Sequence, residues 1–375
     1  MGNKWKLLLF VLTTIFIAGA TFFYIPYLVT QKSWLWAFDQ QTGVIGDTIG
    51  GIAGSIVGFI AVILTFAAFY MQYTANKRQD EQIGEQAKSW EIERFENKFY
   101  NLLGLHRDNV NEVKIGKKLS GRKAFISMFN ELKYVYYEIQ YCYNNKYKIE
   151  INTSASIPPN ILYNIAYLSY FFGIGSKSSA IIFDLIGQEY EGFFGCFHQH
   201  IIDCQSKWRK WWKEDQARKR KLVNEKEKSK LFKTSNSNLA FSLNIVYVPC
   251  SGHTSIYSHY IRHLYQLVKF VDDADEKIIT PEKKYQYVAT IRSQLSIHEQ
   301  LLIYYNALSV LGEPWLKSES GVNYLKKYSL LKSLPITLTK DFYKNPEDLL
   351  GKENEYNKPM FEWLEIKKRF QELPT

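Results

Sequence analysis

The chain has 375 residues, 46% hydrophobic and 16% aromatic with only ten prolines, which excludes wholesale disorder and allows a sizeable core. Its formal net charge of +10 is modest for the length, so where the basic residues sit matters more than their number. Four cysteines, Cys142, Cys196, Cys204 and Cys250, are too sparse for a disulfide scaffold and suit a reducing compartment.

Residues 7–29 form an uncharged stretch of 23 residues preceded by Lys4 and Lys6. At 1.5 Å per residue it can cross a hydrocarbon core of about 30 Å with some tilt. A cleaved signal peptide would have a shorter apolar region. Here Ala18-Gly19-Ala20 is followed by further apolar residues, so a retained span is predicted. A second apolar stretch covers residues 44–71, with Asp47 as its only charge, near the outer interface. The loop between the two holds Trp34, Trp36 and Phe38, aromatics suited to a membrane–water boundary. Lys4 and Lys6 on one flank, with Lys77 and Arg78 on the other, put both ends of this hairpin on the cytoplasmic side.

Gly46, Gly50, Gly54 and Gly58 recur every four residues in the second span. On a helix they make a groove without side chains, into which another helix can settle closely. Two occupants stay open: the hairpin's own first helix, and a second copy of the chain.

Residues 72–94 are polar and read as a helical stalk leading into a helical domain over 95–340. Phe95, Phe99, Leu102, Leu103, His106 and Val110 follow helical spacing. Further helices are predicted over 124–143, 161–174, 179–204, 256–271 and 284–311. A short one over 359–371 belongs to a C-terminal tail, 341–375. Pro158-Pro159-Asn160 supplies a break and a helix start. Alternation is scarce, and 243–248 is the best strand candidate.

The basic excess gathers in an insert at 206–233, with twelve Lys or Arg against four Asp or Glu, a net of +8. Lys207, Arg209, Lys210, Arg218, Lys219, Arg220 and Lys221 accompany Trp208, Trp211 and Trp212. Such a segment suits an anionic lipid surface, nucleic-acid phosphates, or simply a solvated connecting helix.

The chain lacks the phosphate-loop, dinucleotide-binding, zinc-protease and serine-hydrolase motifs. Cys196, His200 and Cys204 share one helix face, but a rise of about 12 Å keeps all three from one ion, although adjacent pairs can share one. No metal site and no cofactor is therefore assigned. Arg292 and His298 match the loose arginine–histidine spacing of HEPN ribonucleases, where arginine holds phosphate and histidine moves a proton. The densest polar constellation is Gly252-His253 followed by Ser258-His259-Tyr260-Ile261-Arg262-His263-Leu264-Tyr265-Gln266. It reads either as buried polar residues joining helices or as a phosphate or acid–base site. The candidate catalytic residues are thus His253, His259, Arg262, His263 and Arg292, none of them assigned.

These stretches carry a resemblance. The chain resembles the putative phage abortive infection proteins, an AbiC-like bacterial family. The match runs through Gly46-Asp47-Thr48-Ile49-Gly50-Gly51, residues 95–103 from Phe95 to Leu103, and Gly121-Arg122-Lys123-Ala124-Phe125. It is strongest at Gly252-His253, at His259 to Gln266, and at Arg292-Ser293-Gln294-Leu295-Ser296 with Glu299 and Tyr304-Tyr305-Asn306. Lys327-Tyr328-Ser329-Leu330-Leu331 looks like the family's end, and the family pattern does not require histidine at His298. The resemblance implies antiphage defence by halting or killing the infected cell, with no agreed enzymatic mechanism.

The expectation is a mainly α protein of the bacterial inner membrane, with a two-helix hairpin at 1–71, a stalk and a helical cytoplasmic domain. It would act as an abortive-infection toxin that disrupts the bilayer, with self-association through the spans and a phage-derived or neighbouring-gene trigger. The alternative is a membrane-tethered, HEPN-like nuclease or another enzyme using the His/Arg cluster.

Overall fold

Phe95, Phe99, Leu103, His106 and Val110 recur at steps of three or four, which puts them on one helix face. In a computed structural model of the protein that face is buried or half-buried within a helical core. The structure describes residues 9, 12–17, 19–20, 24, 40–116, 119–148, 156–221, 247–340 and 342–373. These fall into two compact units, Met1–Glu91 and Ile92–Thr375.

In the first unit the described residues between 9 and 24 are helical, and helix α1 (Gln40–Glu112) begins. A two-span hairpin is not shown. Among the described residues, one helix is long and apolar enough to cross a membrane. Most of the expected first span lies outside the described residues, as do Lys4, Lys6 and the loop tryptophans. Phe59, Val62, Phe66 and Phe69 of the second apolar stretch are all more than 60% exposed. A Cβ added at Gly46, Gly50, Gly54 or Gly58 meets nothing within 4 Å. α1 continues unbroken through the polar residues 72–94.

The last turns of α1 belong to the second unit, where Phe95 stacks on Phe270 and Phe99 meets Tyr287 edge-on. A hairpin of two-residue strands, β1 (Lys114–Ile115) with β2 (Leu119–Ser120), then turns the chain into α2 (Arg122–Cys142). α2 is the central element, packed against α3 (Pro159–Phe172), α5 (Glu191–Lys221) and α8 (Ile297–Ala307). α4 (Ser176–Ile186) lies between α3 and α5 in the chain. α6 (Thr254–Asp272) packs on α7 (Pro281–Ser293). Short helices α9 (Tyr324–Lys327) and α10 (Pro346–Leu350) precede α11 (Glu362–Gln371).

Three sequence expectations change. The helix expected over 284–311 is two, because Ser296 caps α8 in a reciprocal box with Glu299 and the chain turns before it. That expected over 179–204 breaks at Gly187, which takes a left-handed φ of 79°. Of the strand expected over 243–248, residues 243–246 lie outside the described residues and Tyr247 and Val248 are not in a strand.

One backbone contact positions the site. α3 ends at Gly173, and the segment 250–254 lies against that end. The Ile174 N–H donates to the Cys250 carbonyl at 2.8 Å, and the His253 N–H donates to the Phe171 carbonyl at 2.8 Å. A Cβ on Gly173 would come within 2.7 Å of Ser251, and one on Gly252 within 2.5 Å of the Phe172 carbonyl oxygen. Only glycines permit this approach, and it fixes where His253 points.

Candidate functional site

α2 carries Glu131 and Glu138 on an otherwise apolar face with Met128, Leu132, Val135 and Ile139, and both carboxylates are buried. A buried carboxylate demands partners, and each has found a histidine from a distant segment. His253 Nε2 lies 2.7 Å from Glu131 Oε2, and the Cys250 N–H donates to Glu131 Oε1 at 2.6 Å. The Tyr170 ring packs on His253 at 4.9 Å. One step along α2, His200 Nε2 of α5 lies 2.8 Å from Glu138 Oε2. Cys204 Sγ is 3.7 Å from the same nitrogen and 3.8 Å from the same oxygen. Burial alone would push the His200 imidazole down, but Cys204 and Glu138 outweigh it and lift it to about 9. One turn further, Cys142 and Cys196 place their sulfurs 3.6 Å apart. Gln205 ties α5 to the other site by donating to the Pro249 carbonyl at 2.8 Å. The result is a buried polar seam between α2, α5 and the segment before α6.

A separate feature lies near the surface of the second unit. An open pocket of about 470 Å³ is lined by Asn109, Glu112, Ser255, His259, Tyr260 and His263. Behind it His106, fully buried, stacks on His263 with centroids 6.2 Å apart. Neither imidazole has a hydrogen-bond partner among the described residues. Burial, with a smaller push from His263, lowers His106 to about 4, and burial also pushes His263 down. Both are therefore neutral at pH 7. They offer ring nitrogens and no standing positive charge for a phosphate.

The structure thus divides the His/Arg constellation. His253 turns inward to Glu131, and His259 and His263 line the pocket. Arg262 is exposed and outside that lining. Arg292 is committed elsewhere, donating to the carbonyls of Tyr328 and Ser329 at 2.9 and 3.1 Å. His298 sits beside the Phe129 ring instead. Arg122 donates to the Gln294 carbonyl at 2.8 Å, and Glu299 accepts from Tyr260 at 3.0 Å. The stretches at Gly121, Arg292 and Glu299 are therefore joined by architecture.

Lys207, Arg209 and Lys210 of the basic insert are exposed on α5, whereas Trp208 is buried and stacks on Trp212. Trp208 thus turns from the cations into the core, while Trp211 and Trp212 are half-buried. The side chains of Arg218, Lys219, Arg220 and Lys221, and all of 222–246, lie outside the described residues.

Sequence reasoning passed over Glu131 and Glu138. Their signal was two carboxylates seven residues apart, two helical turns, on an apolar helix face.

His106 yields a pH prediction. Its ordinary value is 6.5 and its folded value about 4, so the unfolded chain takes up the proton first as pH falls. Stability is whole above pH 6.5 and declines toward pH 4, by about 2 kcal/mol at pH 5. Thermal melts at pH 7.5 and 5 should show a smaller acid loss for His106→Leu than for the unsubstituted chain. Equal losses would place the acid sensitivity elsewhere.

No curated protein and no solved structure matches the chain. Residues 252–338, from Gly252 at the α3 contact through α6, α7, α8 and α9, match the family described as putative phage abortive infection protein, and over that stretch the chain is similar to the AbiC-like proteins.

Proposed function

We propose that the protein is a membrane-anchored abortive-infection effector whose helical domain responds to an infection cue and alters the packing of its glycine-lined span. The observation that carries this reading is the apolar part of α1. Its large side chains are exposed, and its 22 residues from Gly50 to Met71 give a rise of about 33 Å, the thickness of a hydrocarbon core. A bare apolar surface of that length calls for lipid or another helix. The family name at 252–338 supplies the defence role. The positive flanks favour an anchor in a bacterial inner membrane with both ends on the cytoplasmic side, and the basic insert would face lipid headgroups in preference to nucleic acid. The trigger is phage-derived or supplied by a neighbouring gene.

A tethered nuclease is the competing reading. Its proposed arginine, Arg292, is held by two backbone carbonyls, and burial pushes His263 of the pocket below its ordinary value, which disfavours the imidazolium. A potential-sensitive dye and total RNA integrity, read together after induction during infection, separate the two. Depolarisation with intact RNA is expected. RNA cleavage ahead of any loss of potential would overturn the permeabilisation mechanism.

A further inference from the structure

We propose that Glu138, His200 and Cys204 form a zinc(II) site that clamps α2 to α5. The three are buried, and their ligand atoms all lie within 4.8 Å of one another. A tetrahedral zinc, bound at about 2.3 Å to sulfur and about 2.0–2.2 Å to nitrogen and oxygen, holds such atoms roughly 3.3–3.6 Å apart. The separations here are 2.8, 3.7 and 3.8 Å, so small shifts of three side chains suffice.

The geometry also tells against a nucleophilic triad. A cysteine–histidine–carboxylate relay needs the thiol and the carboxylate on opposite ring nitrogens. Both meet Nε2 here, so they converge on one point as ligands of one ion do. The donor set, one thiolate, one imidazole and one carboxylate, selects zinc over magnesium or calcium.

Charge supports the assignment. A thiolate and a carboxylate cancel the two charges of the ion, so the loaded site is neutral in a place where a net charge would be costly. Tyr141 stacks on the His200 ring at 5.7 Å and limits its rotation. His200 and Cys204, one turn apart on α5, are the kind of adjacent pair that can share an ion, and the third ligand comes from a helix 62 residues earlier.

The test uses the full chain, purified in detergent without a metal-affinity step. Elemental analysis should find about one zinc per chain, as a three-ligand protein site requires. Cys204→Ser and His200→Gln should each lose most of it, while Cys196→Ser, one turn away, should retain it. Cobalt(II) added to the stripped, unsubstituted chain should give a thiolate-to-cobalt band in the near ultraviolet. This measurement stands even if a ligand variant fails to fold. A folded chain with neither zinc nor the cobalt band would overturn the proposal and leave Glu138–His200 as a plain ion pair. Zinc retained in both folded ligand variants would overturn it as well.

Discussion

His253→Leu is expected to lower the stability of the helical domain by about 3–5 kcal/mol, the cost of leaving a buried carboxylate without its partner. For a domain of this size that is a fall in Tm of roughly 6–10 °C. Glu131 is fully buried on α2, and its oxygens are taken by His253 Nε2 and the Cys250 N–H. Leucine removes the first partner. It leaves the Cys250 contact in place, because the Gly173 and Gly252 backbones hold that segment against α3. The loss should therefore come from the unpaired carboxylate and be partly repairable. In His253→Leu with Glu131→Leu the unpaired carboxylate is gone as well, and part of the lost stability should return, the Cys250 N–H still lacking its acceptor. Denaturant melts of the two single variants and the double variant in detergent decide it. Additive losses would show that the two residues do not act as a pair.

That the site depends on such pairs explains which parts of it were legible in the sequence. Elements carried by local pattern were readable. Pro158-Pro159 starts α3, the stripe from Phe95 to Val110 faces the core, and the apolar stretch after Val44 is helical. Breaks within a continuing apolar pattern were harder. Ser296 and Glu299 formed a readable capping box, yet Leu295, Leu301 and Leu302 kept the periodicity running across it. Partners distant in sequence were not readable at all. Glu131 and His253 are 122 residues apart, and nothing in either neighbourhood names the other. The histidine-rich run around α6 looked like one site because its members are close in sequence. A helix spreads neighbours around its axis, and the fold sent His253, His259 and Arg262 to three different surroundings.

The second large effect is expected from Gly50→Leu combined with Gly54→Leu: complete loss of phage protection by a chain that still inserts. Both positions are open, with nothing within 4 Å of an added Cβ, so the leucines do not disturb the described protomer. Leucine is the better helix former by about 0.8 kcal/mol per position and the more apolar residue, so insertion should improve. What the leucines remove is the close approach of another helix to the groove, which relies on backbone contact over small residues. Ile52→Trp is the control. It adds bulk about 160° around the helix from both Gly50 and Gly54, on the face opposite the stripe formed by Gly46, Gly50, Gly54 and Gly58, and should keep protection. Crosslinking in membranes and plaque counts, read on the same cells, separate the possible occupants of the groove. Loss of both crosslinked oligomers and protection points to a second copy of the chain. Loss of protection with oligomers unchanged assigns the groove to a helix within the protomer. Unchanged protection and unchanged oligomers in the double variant would remove the glycine groove, and with it the proposed route from the helical domain to the membrane.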